Sequence, residues 1–230
     1  MAARAVVGTV VAVVVVGAGL VVADVVSRAV AEQDAERAVM RELDVDGTPD
    51  VRIEGFPFLT QLASRTLDDV TATASGVTLD GVRLTDVTAT GRDVSLEAPN
   101  VVAEVRIEAT VPVETVSRLV ADRTGLTVDL TVEGGSLRAS GDLLGAELSA
   151  GLVPRVEGGR LLVEVEDLVL GTRELRVEDL PEGIGARLAQ IEVPVEGLPE
   201  GTTLEAARVV PDGVRVTATG TDVALRQARQ

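Results

Sequence analysis

The side chains able to do chemistry in this 230-residue chain are carboxylates, arginines and hydroxyls, because the sequence contains no His and no Cys. A Ser-His-Asp or Cys-His catalytic unit therefore cannot form. The imidazole and thiolate ligands of zinc, copper and iron–sulfur sites are missing as well. Only carboxylates remain, for acid–base work or for a hard cation such as calcium. This composition favours a protein that is not an enzyme, with no metal and no cofactor.

The acidic residues match no known site motif. Asp44-Val45-Asp46-Gly47 is similar to the start of a calcium loop but lacks the third ligand position and the later bidentate Glu. Asp68 and Asp69 are adjacent in a predicted strand, so their side chains point to opposite faces. Gly134-Gly135 and Gly158-Gly159 lead into strands, which predicts hairpin turns rather than phosphate cradles. A carboxylate-only hydrolase would need two facing acidic residues, and the sequence shows no such pair.

The aromatic residues are concentrated at one point. Phe56 and Phe58 are the only two, since the chain has no Trp and no Tyr. Large rigid side chains usually anchor cores and binding sites. Gly55 and Pro57 predict a tight, preset backbone around them. The segment is therefore the first candidate for a binding surface, with a plugged corner of the fold as the alternative.

The amino terminus and the net charge define the compartment. Residues 5–23 carry no charge and would form a helix of about 28 Å, close to the hydrocarbon thickness of a bilayer. Arg4 before this run and Asp24 after it favour an amino terminus inside and the remainder outside. Residues 1–23 are thus predicted to be a transmembrane anchor or, with cleavage after Ala23, a signal peptide, and the length of the run favours the anchor. The net charge of −16 argues against a nucleic-acid partner.

The elements that position these residues follow from periodicity. Residues 24–43 show helical spacing of apolar positions, as a direct continuation of the uncharged run or after its cleavage. Pro112 and Gly125 delimit a second helix, and residues 181–190 are a weaker third. Most of the remainder alternates strictly, which predicts antiparallel strands with one buried and one wet face. Phase changes near Leu84/Val87 and Val165/Leu168 predict two β-bulges. We expect one exported β-rich domain over residues 24–230.

An internal repeat is present in the predicted strands. Residues 87–96 match residues 216–225 except at Arg92 and Ser95, and residues 69–73 repeat part of the pattern. The spacing is too long for a solenoid. The repeat predicts two similar strand-turn-strand units at related places in one curled sheet, with chance similarity among Val-, Thr- and Ala-rich strands as the alternative.

The segment GFPFLTQ at residues 55–61 resembles the LmeA-like phospholipid-binding proteins of actinobacterial cell envelopes. The resemblance extends along nearly the whole chain, through Ala23-Asp24 and residues 47–51, 77–82, 109–112 and 213–220. It implies an exported, membrane-associated protein that binds phospholipid, with a fold similar to the tubular lipid-binding (TULIP or BPI-like) domains. In mycobacterial relatives the family is linked to maintaining lipomannan biosynthesis, and it brings no catalytic residues to this sequence.

These observations lead to one expected architecture and two functional hypotheses. We expect an α+β fold in which a long curled antiparallel β-sheet wraps around amphipathic helices, after an amino-terminal membrane helix. The first hypothesis is a non-enzymatic phospholipid carrier or sensor on the outer side of the cytoplasmic membrane, or secreted to the periplasm-like space. Its predicted lipid-binding residues are Phe56, Phe58, Leu59 and Leu62 at a mouth, with Val116, Leu119 and Val120 as a movable wall. The alternative is a structural or chaperone-like partner of membrane-bound envelope glycosyltransferases, with a dry core and no lipid cavity.

Overall fold

The structure is a computed structural model that describes the larger part of the chain. The described residues are 2–79, 81–124, 129–143, 146–171, 173–175, 191–193 and 198–224. Within them, the backbone alone is described for residues 2–18, 120–124, 142–143, 146–148, 170, 175 and 191–193. The weak helix predicted at residues 181–190 lies outside the described residues.

Three α-helices are present in the described part of the chain: α1 (Ala2–Glu42), α2 (Phe58–Ser64) and α3 (Val113–Thr124). α1 is one uninterrupted helix that contains both the uncharged segment and the helix predicted after Asp24. Among the residues that were described in full, no helical stretch is long and apolar enough to cross a membrane. α3 begins one residue after Pro112, where the sequence predicts a helix.

The strands form two antiparallel sheets. The first, sheet A, contains β1 (Asp44–Asp46), β2 (Asp50–Glu54), β3 (Thr66–Leu79), β4 (Val82–Ser95), β5 (Val101–Pro112), β12 (Thr202–Val210) and β13 (Gly213–Ala224). The second, sheet B, contains β6 (Asp129–Glu133), β7 (Ser136–Leu143), β8 (Ala146–Glu157), β9 (Arg160–Leu170), β10 (Arg173–Leu175) and β11 (Ile191–Val193). The order in sheet A is β1-β3-β4-β5-β13-β12, with β2 also on β3, and in sheet B it is β10-β9-β8-β7-β6, with β11 also on β9. The α+β class is confirmed.

The expectation of a single curled sheet is wrong for the described strands. After β5 the chain enters α3 and then forms β6 to β11, which pair only with one another there. The chain returns to sheet A only with β12 and β13. The two sheets meet where β12 contacts β8 and β9. α3 lies at the division, between β5 of sheet A and β6 of sheet B, and contacts both strands.

The predicted bulges and hairpin turns are confirmed. The register of β4 against β5 shifts between Thr85 and Thr88, and that of β8 against β9 shifts opposite the predicted position in β9. Gly134-Gly135 and Gly158-Gly159 connect β6 to β7 and β8 to β9. All four glycines have positive φ, as a two-residue turn between twisted strands requires.

The internal repeat occupies equivalent positions on the two sides of β5. β4 and β13 each pair with β5, and the repeated residues of both strands face the same β5 residues. The prediction of related places in one sheet is therefore confirmed, although each unit is a single strand rather than strand-turn-strand. Asp93 and Asp222, also at equivalent positions, both have positive φ, 47° and 52°. The shared pairs are Thr88 and Thr217 with Glu108, Ala89 and Ala218 with Ile107, Thr90 and Thr219 with Arg106, and Gly91 and Gly220 with Val105.

This pairing gives sheet A two different faces. Directly opposed residues lie on the same face of an antiparallel sheet, so the pairs can be followed from strand to strand. One row is aliphatic and defines the aliphatic face: Val51, Ala72, Ala89, Ile107, Ala218 and Leu204. The next row along the strands defines the polar face: Arg52, Thr71, Thr90, Arg106, Thr219 and Thr203.

Candidate functional site

The GFPFLTQ segment forms a tight connection between β2 and α2, which we call the Phe corner (residues 55–61). β2 ends at Glu54, and the chain turns at Gly55 with φ of 89°. A Cβ atom at Gly55 would lie 2.5 Å from Nε2 of Gln61, so only glycine fits there. The Phe56–Pro57 peptide bond is cis, and α2 starts at the next residue.

Gln61 joins the two strands on either side of the corner. Its side chain is buried, with 5% exposed. Nε2 donates to the Glu54 carbonyl at 3.0 Å, and Oε1 accepts from the backbone N–H of Asp68 at 2.9 Å. The amide thereby connects the end of β2 to the start of β3. Both of its polar ends are satisfied, as a buried amide requires.

The two phenylalanine rings of the Phe corner have different environments. Phe58 is only 2% exposed and belongs to a cluster with Ile53 and Leu67, against which Ala31, Val70 and Val94 pack. Phe56 is 66% exposed. The structure therefore places one ring in the core between α1, α2 and sheet A, and the other in solvent.

Four side chains of α1 bind the Phe corner and the free edge of β2. They recur every four residues and so lie on one face of the helix; we call them the polar ladder: Asp24, Arg28, Glu32 and Glu36. Their partners are, in the same order, the N–H of Leu59 at 2.8 Å, the carbonyl of Gly55, the N–H of Ile53 at 2.8 Å and the N–H of Val51 at 3.4 Å. The ladder satisfies backbone groups that an edge strand would otherwise leave open.

Asp24 is the most buried member of the polar ladder, with 2% exposed. α2 has Pro57 at its N-cap and no side-chain cap of its own. Oδ1 of Asp24 accepts from the N–H of Leu59 and so replaces the missing cap. Its Oδ2 lies 3.7 Å from Nη2 of Arg28. This role of Asp24 was not predicted from the sequence, although the four-residue spacing of the charged residues on α1 was a signal for it.

Glu32→Ala is expected to lower the free energy of unfolding by about 1 kcal/mol, because the buried N–H of Ile53 loses its acceptor. The matched control is Glu42→Ala, an exposed carboxylate on the same helix, for which we expect a change within about 0.5 kcal/mol. Urea unfolding followed by circular dichroism measures both. Equal effects of the two substitutions would contradict the assigned contact.

Exposed apolar side chains surround this end of the domain. The hydrogen bond from Leu96 N–H to the Arg65 carbonyl places the β4–β5 connection beside α2. The Asp24–Leu59 bond places the adjoining turns of α1 there as well. We call the set of exposed residues at this end the apolar collar: Leu20, Val21, Val22, Val25, Val26, Val30, Phe56, Leu62 and Leu96.

The predicted site residues lie at two ends of sheet A. Phe56 and Leu62 are exposed in the collar, Leu59 is half-buried, and Phe58 is in the core. α3 follows the last residue of β5 and contacts β5, β6 and β13, whereas α2 precedes the first residue of β3. β5 has 12 residues and spans about 40 Å between these ends. The structure therefore does not bring the two groups together.

The wall predicted on α3 has only part of its surface described. Val116 and Leu119 are half-buried, and the side chain of Val120 lies outside the described residues. Thr115 on the same helix is 3% exposed. α3 therefore packs on the strands around it, and its role as a movable wall stays a prediction.

The polar face of sheet A carries two open hollows of about 640 and 440 Å³. Arginine–carboxylate pairs line the smaller one: Arg92 lies 3.4 Å from Asp69 and 3.2 Å from Glu104. Arg106 pairs with Glu108 at 3.0 Å and with Glu205 at 2.8 Å. These surface pairs keep the carboxylates beside cations rather than beside one another.

The charges on the polar face do not form an acid–base site. The hydrogen bond that Arg106 donates to Glu108, together with the charge of Glu205, raises the pKa of Arg106 further above its ordinary value, so this guanidinium stays protonated. In the part of the chain that the structure describes, no group of three or more carboxylates converges to hold a metal ion. The larger hollow is thus a polar surface, whereas the smaller one combines arginine–carboxylate pairs with apolar lining from Val70 and Val105.

Comparison with known proteins gives one result that identifies the family. A family model described as LmeA-like phospholipid-binding matches residues 22–219, and so includes the polar ladder, the Phe corner, sheet B and all of sheet A except the end of β13. Searches of curated proteins and of solved structures gave no match. The family match agrees with the resemblance carried by GFPFLTQ. The chain belongs to the LmeA-like phospholipid-binding family.

Proposed function

We propose that this chain is a non-enzymatic phospholipid-binding protein at the outer face of the cytoplasmic membrane, where it supports cell-envelope lipid and lipoglycan homeostasis. Its family supports the binding of phospholipid. The observation that carries the proposal is the aliphatic face of sheet A. That face offers a lipid an apolar surface that the protein's own side chains leave partly open.

The middle of the aliphatic face is built mainly from small side chains. Ala72, Ala89 and Ile107 occupy the middle of the row and are only half-buried. An acyl chain lying there would gain about 0.8 kcal/mol for each methylene removed from water.

The aliphatic face ends beside the Phe corner. Val70 and Ile53, which belong to the next row of the same face, pack with Phe58. This cluster lies where the aliphatic face ends, at the end of the domain where the collar is exposed. We therefore propose that phospholipid enters between Phe56, Leu59 and Leu62, with Phe58 supporting the entrance from within.

The position of α1 supports the proposed location. Its uncharged residues 5–23 extend past the collar end of sheet A, while residues 24–42 follow β2 and β1. An anchor of this length would hold the domain at the membrane surface from which the phospholipid comes. In the cleaved form, residues 24–230 would reach the same surface through the collar.

A non-enzymatic role is supported by the chemistry available. The chain has no His and no Cys, and the carboxylates on the polar face pair with arginines. Binding and transfer of an apolar ligand need only a shaped apolar surface with a few polar contacts.

A pair of substitutions on neighbouring residues tests the proposed acyl-chain site. Ala89→Phe fills the aliphatic face, whereas Thr90→Phe places the same ring on the polar face of the same strand. The full chain is extracted in mild detergent, separated from free lipid, and its phospholipid content is measured by mass spectrometry. We expect Ala89→Phe to reduce retained phospholipid about fivefold or more, and Thr90→Phe to leave it unchanged.

The same experiment separates lipid binding from a purely structural role. If the core is dry, Ala89→Phe would overpack it and lower the free energy of unfolding by about 1–3 kcal/mol. The unsubstituted chain would then retain no phospholipid. That combination would support a structural partner of envelope glycosyltransferases instead. Equal phospholipid retention by both variants would contradict the aliphatic face as the binding site.

A further inference from the structure

We propose that the part of the apolar collar beyond residue 23 lies in the headgroup layer of the bilayer, so that the end of the domain that carries Phe56 contacts the membrane. The inference rests on the proposed function in one respect, because it takes residues 5–23 as the membrane segment. It goes further in assigning a fixed surface of the folded domain to the lipid interface.

The arrangement of charged and apolar side chains on α1 is inverted beyond the uncharged segment. Asp24 and Arg28, the first two charged residues, turn toward the Phe corner and are 3% and 26% exposed at their side chains. The side chains that face outward there are apolar: Val25, Val26 and Val30 are 53–58% exposed. A helix on a water-soluble domain normally shows the opposite pattern. The outward surface of this part of α1 is therefore suited to an apolar environment rather than to water.

The length of the inverted stretch matches the thickness of the interface. From Val25 to Val30 the helix rises about 8 Å. The headgroup layer on each side of a bilayer is about 5–8 Å thick, taken as half the difference between total and hydrocarbon thickness. Beyond it, Gln33 and Asp34 are exposed and the outward surface of α1 becomes polar. The change from apolar to polar thus occurs where the helix would leave the headgroups.

The polar ladder fixes the direction in which the collar faces. The N–H of Leu59 donates to Asp24, and Arg28 donates to the carbonyl of Gly55, so these two bonds hold α2 against α1 next to the uncharged segment. Glu32 and Glu36 bind the edge of β2 further along. α1 is therefore held in a fixed orientation against the rest of the domain. When its uncharged segment is in the bilayer, Phe56 and Leu62 come to the same level as Val25.

The residue types of the collar favour contact with a lipid interface through hydrophobic interactions rather than through charge attraction. The chain has a net charge of −16, so an anionic surface would repel it. Docking by Val, Leu and Phe side chains needs no charge attraction and is insensitive to salt. Phe at the level of the headgroups is a typical interfacial anchor of peripheral helices.

The absence of Trp and Tyr from the sequence allows a direct test. In full chains reconstituted into phosphatidylcholine vesicles, a single tryptophan is introduced by Phe56→Trp or by Leu62→Trp. Glu114→Trp, at an exposed position on α3 at the other end of sheet A, is the matched control. Circular dichroism checks that each variant is folded. Quenching of the tryptophan by phosphatidylcholine with brominated acyl chains reports contact with the bilayer.

We expect Phe56→Trp and Leu62→Trp to lose most of their emission to the brominated lipid, to emit at shorter wavelength, and to do so equally at high salt. Glu114→Trp should emit as in water and remain unquenched. Collar probes that behave like Glu114→Trp would overturn the inference. Blue-shifted but unquenched probes whose shift disappears on dilution would overturn it too, by assigning the collar to a second copy of the chain.

The outcome is distinguishable from failure of the proposed function. Unquenched collar probes in a chain that retains phospholipid would reject the docked collar and the entrance between Phe56 and Leu62, but would leave the acyl-chain site on the aliphatic face standing. Quenched probes in a chain that retains no phospholipid would reject the acyl-chain site and leave the docked collar standing.

Discussion

Phe58→Ala is expected to lower the free energy of unfolding by about 3–5 kcal/mol, the usual cost of removing a buried ring from a close-packed core. Phe58 is 2% exposed and contacts α1, β2 and β3 through Ala31, Ile53 and Leu67. In a close-packed core the surrounding side chains cannot move far enough to fill the cavity that the substitution leaves. The matched substitution is Phe56→Ala, two residues away and 66% exposed, for which we expect a change within about 0.5 kcal/mol.

Urea unfolding followed by circular dichroism measures both substitutions in the same chain. Phe56→Ala should stay fully folded and yet retain less phospholipid, because Phe56 lies at the proposed entrance. A similar loss of stability in the two variants would contradict the separation of the two rings into core and surface.

Asp24→Ala is expected to lower the free energy of unfolding by about 2–3 kcal/mol, because it removes a charged acceptor from a buried N–H and leaves Arg28 without its ion pair. Arg28 is partly exposed at its side chain, so the upper limit for a fully buried pair does not apply. The control is Asp34→Ala, which breaks the Asp34–Arg37 pair on the same helix. Both partners of that pair are more than half exposed, and its loss should change stability by less than about 0.5 kcal/mol.

Asp24→Asn completes the series, since an amide oxygen can still accept from the N–H of Leu59 but carries no charge. We expect its stability to lie between those of the native chain and Asp24→Ala. Thermal unfolding of all three variants in one buffer gives the comparison. If Asp24→Ala were as stable as Asp34→Ala, the assigned cap of α2 would be wrong.

Local features of the fold could be predicted from the sequence because they depend on neighbouring residues. Alternation sets which face each strand buries, and its phase changes gave both bulges in β4 and β9. The glycine pairs gave the turns. Alternation does not say which strand pairs with which. For that reason the division of the strands into two sheets could not be read from the same pattern, whereas the repeat did indicate the shared sheet of β4 and β13.

Composition indicated where the candidate site lies, but not which of its side chains are buried and which are exposed. The aromatic pair in GFPFLTQ pointed to the right segment, yet nothing in a local sequence distinguishes a core ring at Phe58 from an exposed one at Phe56. Asp24 is the clearest case. In the sequence it marks the end of an uncharged run, but its function depends on Leu59, 35 residues away. Contacts at that distance are decided by packing and are invisible to spacing rules.

The equivalent placement of β4 and β13 has a consequence for how the chain folds. β4 reaches β5 through the short connection at residues 96–100, whereas Arg215 of β13 must find Thr110 across 105 residues. Closing the longer loop costs more chain entropy, so β13 is expected to dock last. Until then β5 presents an unpaired edge that can pair with β13 of another copy of the chain. Refolding at high concentration should therefore yield dimers that exchange β13, and dilution should suppress them.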